Sequence, residues 1–379
     1  MTLTGTPFLI LTIILFVASI ALAMAQWRNA GALRRNPRQR APRRGPLQAA
    51  GYLGTILFCQ FTAVAMVFVL VNNANLLYDN WGDLLGTASH VRAVPDPPKD
   101  DGAGAPGPKV IQAFRPADSD AVPRTVKQTD LKGRLSGVDG EVLVWTPPQY
   151  DEPAYKDKKF PVVELLAGFP GSASAWFGAM DVSNQLGPLM KAGQVTPFIL
   201  VAPRVTLLGP NTDSGCADVP GKVNAETWLS RDVPQMVTDN FRADTTPDRW
   251  ALAGYSAGAH CATRLALAHP NRYRAAISMS GYNDPGQEPA SLTAKDPKLR
   301  ESANPLTLLT HAATPPNVAL YLTGRKDDGL GDATALQRAA KNPTTVTMVE
   351  TTGPHLTSTW KPLVVPAFTW LTGIIPPGR

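Results

Sequence analysis

The sequence contains little of what protein metal centres are built from. Its 379 residues include three cysteines and five histidines. No two cysteines have the Cys-x-x-Cys spacing and no His-Glu-x-x-His pattern occurs, so the common zinc-binding motifs are missing. We therefore expect neither a metal nor an organic cofactor.

Acidic residues are absent from the first 78 positions. Seven of the chain's 36 basic residues lie there, which leaves 29 basic against 30 acidic residues in the remainder. The basic charge is thus local, and a nucleic-acid-binding protein would need a distributed basic face. We expect no nucleic-acid partner. The local basic residues are Arg28, Arg34, Arg35, Arg38, Arg40, Arg43 and Arg44.

All seven arginines lie between two long apolar stretches. Residues 7–27 and 49–72 are each long enough to cross the roughly 30 Å hydrocarbon core of a bilayer as a helix. Because Lys and Arg accumulate in short cytoplasmic loops, residues 1–86 are predicted to form a multi-pass membrane anchor with a basic cytoplasmic loop. Everything after the second span then lies outside the cytoplasm. The alternative for the first stretch is a signal peptide, although its charges follow the apolar run instead of preceding it.

The remainder divides into a linker and one catalytic domain. Residues 87–108 are rich in Pro, Gly, Asp and Ala, which is typical of a linker. From residue 109 to 379, continuously apolar runs alternate with helical stretches, as in a parallel sheet buried on both faces. The predicted fold class is therefore α/β. Strands are predicted at 110–114, 141–145, 162–166, 198–201, 250–253, 275–279, 318–322 and 346–349, and helices at 225–240, 258–269, 333–341 and 363–371.

The most specific motif is Gly-Tyr-Ser-Ala-Gly at residues 254–258. It stands directly between a predicted strand and a predicted helix, which is the context of a nucleophile elbow. The small flanking residues let the backbone make a sharp turn that exposes the serine hydroxyl. Ser256 is therefore the predicted nucleophile.

A serine hydroxyl needs a base to accept its proton, and in α/β-hydrolases the triad follows the order Ser, acid, His. His355 lies in a loop after the last predicted strand, where such a base belongs. The other histidines precede the domain, lie on the elbow helix or precede any suitable acid; they are His90, His260, His269 and His311. His355 is the predicted general base.

The acid of the triad should follow the strand at residues 318–322. Asp327 and Asp328 both stand there, and Asp332 lies slightly further along. We favour Asp327 as the residue that orients the imidazole, with Asp328 as the second choice and Asp332 as the third.

Two backbone amides should stabilise the oxyanion of the transition state. One usually belongs to the residue after the nucleophile and the other to a loop after an earlier strand. The first predicted donor is Ala257. The second is Phe169, in the Leu-Ala-Gly-Phe-Pro-Gly turn of residues 166–171.

These motifs together resemble the Putative esterase family, which includes esterase D, feruloyl esterases and actinobacterial mycolyltransferases. The resemblance rests on residues 166–171, Ala175-Trp176, residues 254–258, Ser280-Gly281-Tyr282, Gly353-Pro354-His355 and Trp360. It covers roughly residues 125–373 and implies the α/β-hydrolase fold. The two-span anchor resembles the membrane-tethered branch of the family. Where the family often has His or Asp before the oxyanion glycine, this chain has Ala167.

The two cysteines of the catalytic domain are candidates for a disulfide. An exported domain lies in an oxidising compartment, and Cys59 lies in the second apolar stretch. Cys216 and Cys261 are then each other's available partners, so we predict a disulfide between them; the alternative is two buried free thiols.

Three functions of different classes fit the sequence. The preferred one is a membrane-anchored extracytoplasmic serine esterase that cleaves a small-molecule, lipid or glycan ester through an acyl-Ser256 intermediate. The second is an acyltransferase that moves the acyl group to a sugar hydroxyl, as the resemblance to mycolyltransferases implies. The third is a catalytically silent membrane scaffold.

Overall fold

The computed structural model of the chain describes residues 3–32, 46–96 and 108–377. The chain divides into two compact units, Met1–Ala74 and Asn75–Arg379. This division falls before residue 86, where the sequence suggested that the anchor ends. Six of the seven N-terminal arginines, at positions 34–44, and residues 97–107 of the predicted linker lie outside the described residues.

The first unit is made of two long apolar helices. They are α1 (Thr6–Ala32) and α2 (Pro46–Asn75), the last residue of which belongs to the second unit. Their segments Thr6–Arg28 and Ala49–Asn75 are long and apolar enough to cross a membrane. Between the helices, Ser19 Oγ lies 3.1 Å from Thr62 Oγ1. Polar side chains thus face each other inside the pair, while most apolar side chains point outward.

The second unit is built on a nine-stranded, mostly parallel sheet and a small separate strand pair. The strands are β1 (Arg115–Pro116), β2 (Lys127–Lys132), β3 (Asp139–Trp145), β4 (Val162–Leu166), β5 (Ile199–Pro203), β6 (Asp218–Val219), β7 (Val223–Asn224), β8 (Trp250–Tyr255), β9 (Ala275–Met279), β10 (Ala319–Gly324) and β11 (Thr345–Glu350). The order in the large sheet is β1-β2-β3-β5-β4-β8-β9-β10-β11. In it β4, β5, β8, β9, β10 and β11 run parallel, and β1, β2 and β3 pair antiparallel. The separate pair, β6 and β7, is antiparallel.

Helices cover both faces of this sheet. The α-helices of the unit are α3 (Trp81–Leu85), α4 (Ser174–Phe177), α5 (Val182–Lys191), α6 (Ala225–Thr227), α7 (Val233–Asn240), α8 (Ala257–Ala268), α9 (Pro297–Ser302), α10 (Pro305–His311), α11 (Leu330–Ala339), α12 (Thr357–Trp360) and α13 (Val364–Ile374), with a π-helical stretch, Trp228–Asp232, joining α6 to α7. Short 3-10 helices span Pro148–Asp151, Pro153–Tyr155, Pro247–Arg249, Pro285–Gln287 and Lys361–Leu363.

The core lies in two layers, one on each side of the sheet. In β4, Val162 and Leu166 pack into one layer with side chains of α7, α8 and α11. Val163 and Leu165 point the other way and pack with α5 and α13. Strands buried on both faces explain why their sequences are continuously apolar instead of alternating. The predicted α/β class is confirmed.

The prediction of a strand at residues 110–114 is wrong. The backbone there pairs with side chains at the end of α7: the amide of Val110 donates to Asp239 (2.8 Å), and that of Gln112 donates to Asn240 (2.9 Å). Apolar composition could not show that a helix end takes these hydrogen bonds. The sequence also missed β2, whose residues Lys-Gln-Thr-Asp-Leu-Lys form no apolar run.

Candidate active site

Ser256 stands on a sharp turn between β8 and α8. Its φ of 56° is positive, and its amide donates to the carbonyl of Met279 at 2.9 Å. Glycine is required at positions 254 and 258, because neither position has room for a side chain. A methyl group at Gly254 would lie 2.0 Å from the carbonyl oxygen of Gly258, and one at Gly258 would lie 2.2 Å from that of Leu166. The elbow therefore needs glycine at both positions, as the motif predicts.

His355 lies over the serine and connects it to a carboxylate. Its Nε2 is 2.8 Å from Ser256 Oγ, and its Nδ1 is 2.8 Å from Asp328 Oδ1. The serine is on β8–α8, the acid follows β10 and the histidine follows β11. Because the carboxyl ends of parallel strands meet at one edge of the sheet, the topology brings together three residues that are far apart in the sequence.

Our preference for Asp327 as the acid does not match this geometry, which places Asp328 against His355. The chain after β10 makes a tight turn, in which the backbone groups of Arg325 and Asp328 exchange two hydrogen bonds of 2.9 Å. Asp327 is at the exposed tip of this turn, whereas Asp328 returns to the sheet edge. Asp332 is engaged elsewhere, because its Oδ1 accepts from the amide of Asn283 at 2.9 Å.

Aromatic side chains support the histidine from behind. The ring of Trp360 meets that of His355 edge to face, with centroids 4.7 Å apart, and stacks on Tyr255 at 4.8 Å. Its indole N–H donates to Ser280 Oγ at 3.1 Å. The His355 side chain nevertheless remains 42% exposed. The imidazole is thus fixed in orientation but open to water.

The loop after β4, residues 167–173, closes on the nucleophile. We call it the oxyanion loop. A methyl group at Gly168 would lie 3.1 Å from Ser256 Cβ, and one at Gly171 would lie 2.4 Å from the carbonyl oxygen of Gly168. The turn is therefore tight and stands next to the serine, with Phe169 inside it. The roles of the Phe169 and Ala257 amides as oxyanion donors stay predictions that this close approach supports.

The structure contains the predicted disulfide between Cys216 and Cys261. It joins the loop after β5 to the elbow helix α8. Arg264, also on α8, donates to the carbonyl oxygen of Cys216 at 2.8 Å and pairs with Glu226. Among the described residues, no group of three or more His, Cys, Asp or Glu side chains is arranged to hold a metal ion.

The residues of this site lie in a part of the chain that matches a known protein family. The family model described as Putative esterase matches residues 136–367, which is more than half of the chain and includes Ser256, Asp328 and His355. This chain belongs to the Putative esterase family. A curated relative of this esterase is an uncharacterised protein of Corynebacterium glutamicum, 24% identical over 322 residues that cover 76% of this chain and 73% of the relative.

Solved structures of hydrolases share the fold of this esterase. A ferulic acid esterase superposes with a TM-score of 0.55 and 20% identity, covering 66% of this chain and 98% of the other. An S-formylglutathione hydrolase from Agrobacterium tumefaciens gives a TM-score of 0.51 at 15% identity, with 66% and 96% covered. A fluorophosphonate-binding serine hydrolase of Staphylococcus aureus gives 0.51 at 16%, with 65% and 97% covered. Family and fold together make the chain an α/β hydrolase.

Sequence reasoning missed one group of residues around the site. Residues 75–86, which it assigned to the anchor, contact both the oxyanion loop and the loop that carries His355. No local pattern marks them, because their partners lie far away in the sequence.

Proposed function

We propose that this chain is a serine esterase in which Ser256 is the nucleophile, His355 the general base and Asp328 the acid that orients it. The observation that carries the proposal is the continuous chain of two 2.8 Å contacts from Ser256 through His355 to Asp328. Such a chain is what activates a serine hydroxyl. This chain of contacts also argues against a catalytically silent scaffold, because a scaffold does not need an activated serine.

The proposed triad gives each proton a defined position. A carboxylate only accepts hydrogen bonds, so the Nδ1–H of His355 donates a hydrogen bond to Asp328, which leaves Nε2 to accept the proton of Ser256. As that proton moves, Ser256 Oγ bonds to the ester carbonyl carbon, and the amides of Phe169 and Ala257 donate to the resulting oxyanion.

The same imidazole completes the cycle. His355 gives its Nε2 proton to the leaving alkoxide, and the alcohol departs to leave an acyl-Ser256 ester. Water then loses a proton to Nε2 and attacks the acyl carbon. Ser256 recovers the proton as the carboxylic acid is released.

Hydrolysis is favoured over acyl transfer by the exposure of the base. The His355 side chain is 42% exposed, so water can reach the imidazole that would activate it. An acyltransferase needs to keep water away from the acyl-enzyme until an acceptor hydroxyl binds. We therefore assign transfer to a sugar hydroxyl as the second function.

We also propose that α1 and α2 span a membrane and that the esterase unit lies outside the cytoplasm. The outward apolar surfaces of both helices support an apolar surrounding, and the arginines between them favour a cytoplasmic loop. The disulfide Cys216–Cys261 fits an oxidising compartment. Protease added to intact cells without a cell wall should digest the esterase unit; full protection of that unit would contradict this location.

The enzymatic proposal is tested with esters of graded acyl length in the presence and absence of trehalose. The wild-type chain should release alcohol and free acid in equal amounts, and Ser256→Ala and His355→Ala should each lose several orders of magnitude in kcat. Acylated trehalose as the main product would instead support the transferase. Wild-type turnover in the Ser256→Ala variant would remove the assignment.

A further inference from the structure

The segment that begins at the last residue of α2 is packed into the esterase unit. We call residues 75–86 the connecting segment. Leu76 is 1% exposed and has a positive φ of 50°. Its side chain lies over Gly178, where an added methyl group would come within 2.4 Å of Leu76 Cδ1. A bulky residue with this backbone conformation is held there by its surroundings, since the conformation costs about 1 kcal/mol or more.

The connecting segment holds the oxyanion loop through Ser172. The carbonyl oxygen of Leu76 accepts two hydrogen bonds from this residue, one from its Oγ at 2.8 Å and one from its amide at 3.3 Å. Ser172 is three residues after Phe169 and next to Gly171. Gly171 is fixed from the other side, because Thr206 Oγ1 donates to its carbonyl oxygen at 3.0 Å. The oxyanion loop is therefore held between the loop that follows β5 and the connecting segment.

A buried ionic cluster anchors the same segment. Arg204 donates from both terminal nitrogens to the Asp83 carboxylate, at 3.1 and 3.0 Å, and also pairs with Glu141. Asp79 lies between this cluster and the oxyanion loop. Burial and, after it, the charge of Glu141 raise the pKa of Asp79, while Arg204 and the hydroxyls of Ser174 and Ser172 lower it; the net result is a pKa of about 7. The bidentate geometry makes the attachment rigid.

The connecting segment also reaches the loop that carries the base. Asn75 Oδ1 accepts a hydrogen bond from the hydroxyl of Thr357. Thr357 is two residues after His355 and begins α12, which ends at Trp360, the residue that supports the imidazole. One short segment is thus hydrogen-bonded to both loops that must be correctly placed relative to Ser256.

We propose that the connecting segment is a positioning element of the active site, with Leu76 and Asn75 fixing the oxyanion loop and the His355 loop relative to each other. None of its residues touches the reacting atoms in this account. The inference rests on the proposed esterase function. It implies that a change within the connecting segment alters turnover.

The test uses the full chain in detergent with a short, water-soluble ester. Thr357→Val removes the hydroxyl that bonds to Asn75, and Ser172→Ala removes the stronger bond to Leu76. Because loss of positioning raises the barrier without changing the binding of a small ester, each variant should lose roughly 10-fold to 100-fold in kcat. KM should stay within about 2-fold in both.

Matched controls separate positioning from general damage. Among the described residues, Ser183→Ala removes a buried hydroxyl that has no hydrogen-bond partner. Thr369→Val removes an exposed hydroxyl that donates to the carbonyl oxygen of Val365 within α13. Both variants should retain wild-type kcat. Thr357→Ser keeps the hydroxyl and should restore the turnover lost in Thr357→Val.

The outcomes distinguish the two proposals. Wild-type kcat in both Thr357→Val and Ser172→Ala would overturn the positioning role while leaving the esterase assignment intact. A loss of kcat that follows a fall in melting temperature and is not rescued by Thr357→Ser would also overturn it, since the role would then be structural only. Absence of Ser256-dependent hydrolysis in the wild-type chain would instead remove the esterase proposal itself.

Discussion

The choice between Asp327 and Asp328 gives a sharp prediction, because the two residues are adjacent and chemically identical. Only Asp328 contacts the imidazole, at 2.8 Å from Nδ1. Asp328→Asn replaces a carboxylate by an amide of nearly the same shape. The amide neither stabilises the imidazolium nor enforces the tautomer that leaves Nε2 free to accept a proton. A large fall in kcat should follow, with little change in the fold.

The structure also indicates how large the fall in kcat of Asp328→Asn should be. In a fully enclosed triad the same change costs about 10⁴-fold in kcat. Here the His355 side chain is 42% exposed and that of Asp328 is 16% exposed, so water stabilises part of the imidazolium charge. We therefore expect a loss of roughly 10³-fold, or about 4 kcal/mol of transition-state stabilisation. Asp327→Asn, at the exposed tip of the turn, should stay within about 2-fold of wild type.

The assay is steady-state hydrolysis of a chromogenic short-chain ester, with melting temperatures measured for both variants. Equal melting temperatures would show that any difference in turnover comes from chemistry. Loss of activity in Asp327→Asn with normal turnover in Asp328→Asn would refute the assignment and return the role to Asp327.

Three further changes have expected outcomes. Cys216→Ser should lower the free energy of unfolding by about 4 kcal/mol, since the disulfide closes a separation of 45 residues. The corresponding fall in Tm is roughly 8 °C, whereas Cys59→Ser should leave Tm unchanged. Equal Tm values for Cys216→Ser and the wild type would contradict this. Burial alone would raise the pKa of Glu226, but the charge of Arg264 and a hydrogen bond from His269 lower it from 4.5 to about 2. Glu226→Gln should therefore cost about 3 kcal/mol at neutral pH, and the difference should vanish in urea titrations as the pH falls from about 4.5 toward 2. Gly258→Ala places a methyl group 2.2 Å from a carbonyl oxygen of β4 and should lose at least about 100-fold in kcat, while Gly331→Ala, which meets nothing within 4 Å, should be active.

The central strands and the elbow could be predicted from the sequence because their signals are local. Strands buried on both faces are continuously apolar, and the strained turn at Ser256 needs glycines at fixed positions. Elimination among five histidines predicts His355 as the base, and its Nε2 lies 2.8 Å from Ser256 Oγ. In each case the residues that decide the structure lie within a few positions of one another, or the candidates are few.

The acid and the connecting segment depend on information that the local sequence does not hold. Asp327 and Asp328 differ only in their place on a turn set by two backbone hydrogen bonds of Arg325. Residues 75–86 begin at the end of an apolar helix and have the composition expected where a chain leaves a membrane, so the sequence predicts that they belong to the anchor. Their contacts with Ser172 and Thr357 span 96 and 282 positions. Such pairings follow from the assembled fold.

The central claim is that Ser256 is a nucleophile activated by His355, and labelling with a fluorophosphonate tests it most directly. A fluorophosphonate forms a covalent bond to an activated serine with loss of fluoride. Mass spectrometry of the digested full chain should find one phosphonylated peptide, the one containing Ser256, and His355→Ala should slow its formation by several orders of magnitude. An unmodified Ser256 peptide in active wild-type protein, or equally fast labelling without His355, would contradict the account.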